Sequence, residues 1–370
     1  MPKSVLSLSI VLHPATLTLL VLLVSIGIYL AQAGGDPLAL IQVGTRYGAH
    51  DPNGSEGYDG QFIYFVACDP RPAVVASHLD VPAYRYQRIL LPLLARLAAL
   101  GRLSAIPWAL LALGIFSHTI GTWAVAELLA DWGVRRAYAL VYGLWMGFLL
   151  AVRVALPEPL AMGLIALALL AAGRGRHKIA WCLYGLALLA KETAIVFVAA
   201  HAAVLLIQRD WKKLIGLSVI TLLPYALFQG WLWLTFSQPG LASGGAMATP
   251  FEIIPLMGLW RIAPYSPTML AVWLVVFGPP IVAPALWGLW AGLRALSRGE
   301  NSVLTLNLLL NALSIISLPF STFREPAGLL RFGGGLVLAG LLFAAHYRQR
   351  RALTYFSTFW LAMNVFLLKG

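Results

Sequence analysis

From Pro14 to Leu30 the chain carries no charged side chain, and apolar runs of this kind recur to its end. They are roughly 15–25 residues long, rich in Leu and Ala, and do not alternate polar with apolar positions. Of the 370 residues, 60% are hydrophobic and 11% are charged, against about 25% charged in an ordinary soluble domain. A soluble core of this size cannot hide that much apolar surface, so lipid is the expected solvent. In lipid every backbone polar group must be satisfied internally, which leaves helices or a closed barrel. The absence of alternation selects helices. The expected fold class is therefore an all-α polytopic membrane protein.

Candidate spans fall near 14–33, 104–129, 137–154, 158–173, 179–190, 193–208, 214–236, 268–293, 302–320, 328–346 and 352–368, about eleven transmembrane helices in all. The fifth and sixth are short. At ~1.5 Å per residue they do not cross a full bilayer, so Lys191-Glu192-Thr193 between them is expected within the outer leaflet or beside a wet cavity. The tripeptide Ala31-Gln32-Ala33 has the small-x-small form of a signal-peptidase site. The preceding run is longer than a signal core of ~7–15 residues, and it reads as an uncleaved first span.

Charge sets an expected orientation. With the N-terminus cytoplasmic, the inner side receives fourteen basic residues, among them Lys3, Arg135, Arg136, Arg174, Arg176, Lys212, Arg294 and Arg348, against only Glu127, Asp131, Asp210 and Glu300. The formal charge of the whole chain is +12, so almost all of the excess falls on one side, as the positive-inside rule requires. The same rule explains the basic balance without nucleic acid, and no basic helix is interleaved with stacking aromatics. The cytoplasmic turns are short and contain no Gly-rich phosphate loop of the Walker kind. The protein is expected in the plasma membrane, with its working face extracytoplasmic.

Two long segments lie on that face, 34–101 and 237–267, within a chain expected to form one domain, 1–370. The first holds Tyr84-Arg85-Tyr86-Gln87-Arg88-Ile89-Leu90-Leu91-Pro92-Leu93-Leu94, which reads as an interfacial helix with arginines up and leucines down. It also holds Gly57-Tyr58-Asp59-Gly60-Gln61, a carboxylate at the mouth of the membrane region among glycines that permit close backbone approach. Asp59 suits a general base acting on a hydroxyl; a solvated turn with an Asx cap is an equal alternative. Arg85 and Arg88, three apart, suit a clamp for phosphate or pyrophosphate, or snorkelling to lipid headgroups.

Further ionisable residues fall on the same face. Glu158, between Pro157 and Pro159, opens a helix and has Arg153 nearby as a neutralising partner. Lys191-Glu192 pairs opposite charges at membrane depth, where ionisable groups are costly and functional by default. Arg324-Glu325-Pro326 and Arg331 repeat the pattern, and Arg261 and Tyr265 lie on the second long loop. His118 and His201, inside apolar spans, read as packing residues, as do Cys68 and Cys182. Neither the histidines nor the cysteines have metal-ligand or disulfide spacing.

Gly57-Tyr58-Asp59-Gly60-Gln61-Phe62, Asp69-Pro70 and Tyr84-Arg85-Tyr86-Gln87-Arg88-Ile89-Leu90 resemble a group of bacterial membrane proteins linked to cell-surface glycopolymer formation. These are distantly similar to PIG-V-type mannosyltransferases and belong to the GT-C class. Pro157-Glu158-Pro159-Leu160 and Ala190-Lys191-Glu192-Thr193 resemble further segments of such proteins. The resemblance covers roughly residues 10–210; the last third adds only topology. It implies a GT-C-like fold and a hexosyltransferase activity. The donor would be a polyprenyl-phosphate-linked sugar and the acceptor a glycan or lipid, serving cell-envelope glycopolymer or glycolipid assembly. Asp59 would be the catalytic base, with Tyr58, Gln61, Arg85, Arg88, Glu158, Lys191, Glu192, Arg324 and Arg331 binding substrate. The first loop lacks a plain Asp-x-Asp, so no metal ligand is assigned, no cofactor is assigned, and dependence on a divalent metal stays open. Two other functions fit the composition: a transporter or flippase of lipid-linked glycans, and a non-catalytic membrane partner.

Overall fold

The computed structural model describes residues 13–241 and 243–369; Lys3, counted above toward the cytoplasmic charge, lies outside them. Among the described residues every regular element is helical. Among the described residues five helices are long and apolar enough to cross a membrane: Pro14–Gln32, Leu103–Asp131, Trp211–Phe236, Pro267–Ser297 and Pro326–His346. Four shorter apolar helices, Glu158–Gly173, His177–Ala190, Glu192–Ile207 and Val303–Ile316, accompany them. The protein is thus an all-helical chain of membrane-protein type.

Helix starts follow local chemistry. Proline opens the Pro14, Pro267 and Pro326 helices, where its missing N–H is not needed. The hydroxyls of Ser266 and Ser302 accept from the backbone N–H of Met269 and Thr305 respectively, three residues on. Proline inside a helix has a different effect. Gly278–Val282 widens into a π turn, and Pro284 has no N–H to give the carbonyl of Pro280. The indole of Trp360 donates to that carbonyl instead, at 2.6 Å.

Two compact units divide the chain, each drawn from several segments. The first comprises 1–124, 149–194 and 218–246; the second comprises 125–148, 195–217 and 247–370.

In the first unit the 34–101 segment is a folded layer rather than a loop. It contains the helices Gly60–Cys68, Pro82–Tyr86 and Leu90–Ala98 among shorter ones. Its core is Phe62, Val66, Val75, Leu79, Tyr86 and Ile89, closed by Leu232 of the Leu223–Phe236 helix. The guanidinium of Arg96 donates to the carbonyls of Ala67 and Cys68, capping the negative end of the Gly60–Cys68 helix.

The expected interfacial helix over Tyr84–Leu94 is not continuous. It ends at Tyr86 and restarts at Leu90. Pro92 explains the break: a continuous helix would need its N–H, whereas the third position of a new helix does not. Arg85 and Arg88 are buried, so they do not stand up into solvent. The expected 137–154 span is broken too, into Leu140–Gly143 and Met146–Arg153. There the backbone at Gly147 packs so close to Leu330 that a Cβ would lie 2.2 Å from its carbonyl oxygen. The indole of Trp145 donates to that same oxygen at 2.9 Å. The expected 352–368 span is an Arg350–Ala362 helix that tightens into a 3-10 segment, Met363–Lys369. Cys182, expected as a packing residue, is exposed on its helix, while His118 and His201 are buried.

Candidate functional site

The Asp59 segment is held by its own backbone. The Gln61 amide accepts from Gly44 N–H at 3.0 Å and donates to the Glu56 carbonyl at 2.6 Å, so both of its ends tie the turn together. Tyr58 N–H donates to the Gln42 carbonyl at 2.9 Å, and its ring packs on Ala151, Val154 and Leu156. Gly57 has φ +70°, a conformation that glycine adopts without strain. At Gly60 a Cβ would lie 2.0 Å from the Val154 carbonyl oxygen. The chain therefore passes against 149–156 with no room for a side chain, one residue after Asp59.

Asp59 sits at the N-terminus of the Gly60–Cys68 helix but makes no capping hydrogen bond. Its carboxylate turns to Arg85 Nη1, at 3.0 Å. The opposite edge of the same guanidinium is occupied by Asp80, Nε to Oδ1 at 2.7 Å and Nη2 to Oδ2 at 2.8 Å. Asp80 also accepts from Val81 N–H at 2.7 Å and Ala246 N–H at 3.2 Å. Burial alone would raise the Asp80 carboxyl. The Arg85 pair and the two backbone donors outweigh it and hold the group below the usual carboxylate range.

Tyr84 links this pair to the next. Its ring has the Arg85 guanidinium 5.2 Å from its centroid and that of Arg88 4.4 Å away, both within cation–π range. Arg88 is bidentate on Glu192, Nε to Oε2 at 2.9 Å and Nη2 to Oε1 at 2.6 Å. Burial opposes the charge on Arg88, but the Glu192 carboxylate more than restores it. Lys191, in extended conformation at the break between the two short helices, points the other way. Its Nζ lies 2.7 Å from Glu158 Oε1. Glu158 opens the Glu158–Gly173 helix, where the helix dipole also favours a carboxylate.

Asp59, Arg85, Arg88, Glu192, Lys191 and Glu158 thus form a set of three neighbouring ion pairs inside the first unit. The neutralising partner of Glu158 is Lys191 and not Arg153, whose guanidinium instead stacks on Tyr29, 3.8 Å from the ring centroid. Arg324 and Arg331 belong to the second unit, where Arg331 lies 3.6 Å from Glu325 and Arg324 lies over Phe320.

Sequence reasoning missed Asp80 and Tyr84. The signal for Asp80 was present: an aspartate two residues before a helix-opening proline, with an arginine one turn into that helix. Gln229 was missed as well; its amide bridges the Gln87 side chain and Leu241 N–H. Among the described residues no three His, Cys, Asp or Glu side chains come together in a group able to hold a metal ion. Chemically, the first unit offers a half-exposed carboxylate beside an arginine fixed from behind, with a second arginine, an aromatic face and a buried Lys–Glu pair next to them. Compared with known protein families, curated proteins and solved structures, the chain matches none of them.

Proposed function

We propose that the protein is an inverting membrane glycosyltransferase of GT-C type with about eleven spans. Its N-terminus is cytoplasmic and its active face lies on the other side, as the charge asymmetry of the turns supports. The donor is a sugar on a polyprenyl phosphate and the acceptor is a hydroxyl of a cell-surface glycan or lipid. The observation that carries this reading is the gathering of Asp59, Arg85, Arg88, Glu192, Lys191 and Glu158 in one unit, where Arg88 meets Glu192, 104 positions away. Burying ion pairs costs desolvation energy that apolar packing would avoid, so three such pairs side by side argue for a use other than stability.

In this reading Arg85 and Arg88 hold the phosphate, and Lys191 and Glu158 contact sugar hydroxyls. Asp59 takes the proton of the acceptor hydroxyl. The acceptor oxygen bonds to the anomeric carbon from the face opposite the phosphate. The carbon–oxygen bond to phosphate breaks, and its electron pair leaves with the polyprenyl phosphate, whose charge the arginines neutralise. The test is sugar transfer by purified protein in lipid from a defined polyprenyl-phosphate sugar. Asp59→Asn is expected to lower the rate by about 10²–10⁴-fold. Wild-type rates from the folded variant would remove Asp59 from the role of base.

One observation favours a second reading, a non-catalytic membrane partner: Arg85, Arg88 and Lys191 each already face a carboxylate. It predicts that no lipid-linked sugar is consumed, and that the three pairs can be replaced together without functional loss.

A further inference from the structure

Gln87 follows the buried Tyr86 and precedes Arg88 of the Arg88–Glu192 pair, in the break between the Pro82–Tyr86 and Leu90–Ala98 helices. It is 1% exposed. Its side chain ends a short relay. Leu241 N–H donates to Gln229 Oε1 at 3.2 Å, and Gln229 Nε2 donates to Gln87 Oε1 at 3.3 Å. The direction of the relay is fixed from one end. A backbone N–H can only donate, so Gln229 turns its oxygen to Leu241 and its nitrogen to Gln87. Gln87 then has to meet that nitrogen with its own oxygen. The Gln87 amide nitrogen is left over, buried and with no acceptor among the described residues.

Turning the Gln87 amide over does not help, because it would set nitrogen against nitrogen. Gly240 packs against the relay: a Cβ there would lie 2.8 Å from Gln229 Oε1 and 3.0 Å from Gln87 Oε1. A buried amide nitrogen without an acceptor is costly, and an apolar side chain of similar length at 87 would avoid the cost. The relay also adjoins the ion pairs. Tyr225 lies one turn before Gln229 on the Leu223–Phe236 helix, so the two share a face. Its hydroxyl sits beside Gln229 and within electrostatic reach of Glu192 and Arg88. We infer that Gln87 Nε2 donates a hydrogen bond to the sugar of the lipid-linked donor, and that Gln87 is a residue that sets which sugar is accepted. The inference rests on the proposed function and deepens it by naming a group that reads the sugar. In that reading Arg85 and Arg88 take the phosphate charge. An amide N–H is neutral and suits an uncharged oxygen, a ring hydroxyl of a hexose. A buried donor waiting for a hydroxyl discriminates against a sugar that does not place one there.

The test is binding, measured by calorimetry on the full-length protein in detergent. The probes are farnesyl phosphates esterified with glucose, galactose or mannose, and farnesyl methyl phosphate, a diester of the same charge without a sugar. The quantity read is the ratio of hexose-ester to methyl-ester affinity, so that any change in phosphate binding cancels. Gln87→Met is expected to lower this ratio about 3–10-fold for the best-bound hexose, the range of one neutral hydrogen bond. Binding of the methyl ester is expected to stay as it was. If Gln87→Met does not fold, Gln87→Glu keeps the oxygen that Gln229 needs and exchanges only the donor, and it is expected to lower the ratio at least as far. Analogues of that hexose, each lacking one hydroxyl, locate the bond. One of them costs the wild type the same factor and costs the folded variant nothing more, a non-additivity that a purely structural role does not produce.

An unchanged ratio in the folded variant overturns the inference. So do deoxy losses that add to the variant's loss at every ring position, and a wild type for which no single hydroxyl matters. Each of these leaves the glycosyltransferase reading standing if the wild type still transfers sugar. A wild type that binds no hexose ester more tightly than the methyl ester, and transfers no sugar, overturns both.

Discussion

Arg71 and Arg88 lie in the same folded layer, and each grips a carboxylate with a bidentate fork, yet the two pairs are opposites. Arg71 reaches Asp69, two residues away, on the open surface. Arg88 reaches Glu192, 104 positions away, in a largely buried setting. A pair between near neighbours on the surface forms wherever the turn allows and is worth little, because water and salt screen it and two side chains lose freedom. A buried pair between distant segments cannot be lost by half: each charge is tolerable only while the other is there. The first pair decorates a turn; the second ties the Pro82–Ala98 region to the break between the short helices.

The largest expected effect breaks the buried member. Arg88→Ala or Glu192→Ala strands a charge and should cost about 3–5 kcal/mol in a denaturation measurement on solubilised protein. Replacing both with methionine should recover most of that loss. Recovery would show that the pair is kept for something other than stability, and full additivity of the two single losses would contradict its being a coupled unit.

Next in size is Gly60→Ala. The added methyl meets a backbone oxygen and not a flexible side chain, so the two segments must part, at a cost of about 1–3 kcal/mol. Transfer activity should fall further than stability does, because Asp59 is the adjoining residue. A variant with unaltered activity and unfolding midpoint would place the 57–61 turn elsewhere.

A smaller effect concerns acid. The Asp80 carboxyl is held below its ordinary value in the folded protein, so its contribution is complete above the unfolded value of about 3.9 and is lost as pH falls below it. The thermal midpoint of the wild type should therefore drop more between about pH 6 and pH 3 than that of Asp80→Asn. Parallel curves would mean that Arg85 does not depend on Asp80.

The smallest expected effect belongs to the exposed pair. The Arg71 side chain and its backbone N–H hold the Asp69 carboxyl down to about 2. Arg71→Ala should return its titration toward about 3.9 and lower the unfolding midpoint far less than loss of the buried pair does. A clear loss of stability would make this pair more like the buried one than its exposure allows.

Much of the site could be named from sequence because charge inside an apolar chain is conspicuous: Glu158, Lys191 and Glu192 stand out between hydrophobic runs. The pairing was less legible. Arg153 is five positions from Glu158, and proximity in sequence suggested that they neutralise each other. Folding gave Glu158 to Lys191, 33 positions away, and placed Arg153 on Tyr29. Asp80 escaped notice because it lies in an ordinary polar stretch, where one more aspartate carries no signal until Arg85 is found buried against it.

The Tyr58-Asp59-Gly60-Gln61 turn shows the same division. Its glycines announced a tight passage, and Asp59 a carboxylate beside apolar surface. That Gln61 is spent on the turn, and that Asp59 leaves the helix cap for Arg85, depended on Gly44, Glu56 and Asp80, which the local pattern does not connect.

Sequence by itself determined an all-helical chain with helices apolar enough to cross a membrane, and the helix starts at proline and serine. Hydropathy, capping and proline chemistry are local and add along the chain, so they can be read residue by residue. Tertiary structure alone decided the interruption of the 137–154 span and the choice of partner for the buried charges of the site. Those outcomes depend on which backbone passes within contact distance and how much water is excluded there, quantities that exist only once distant segments have met.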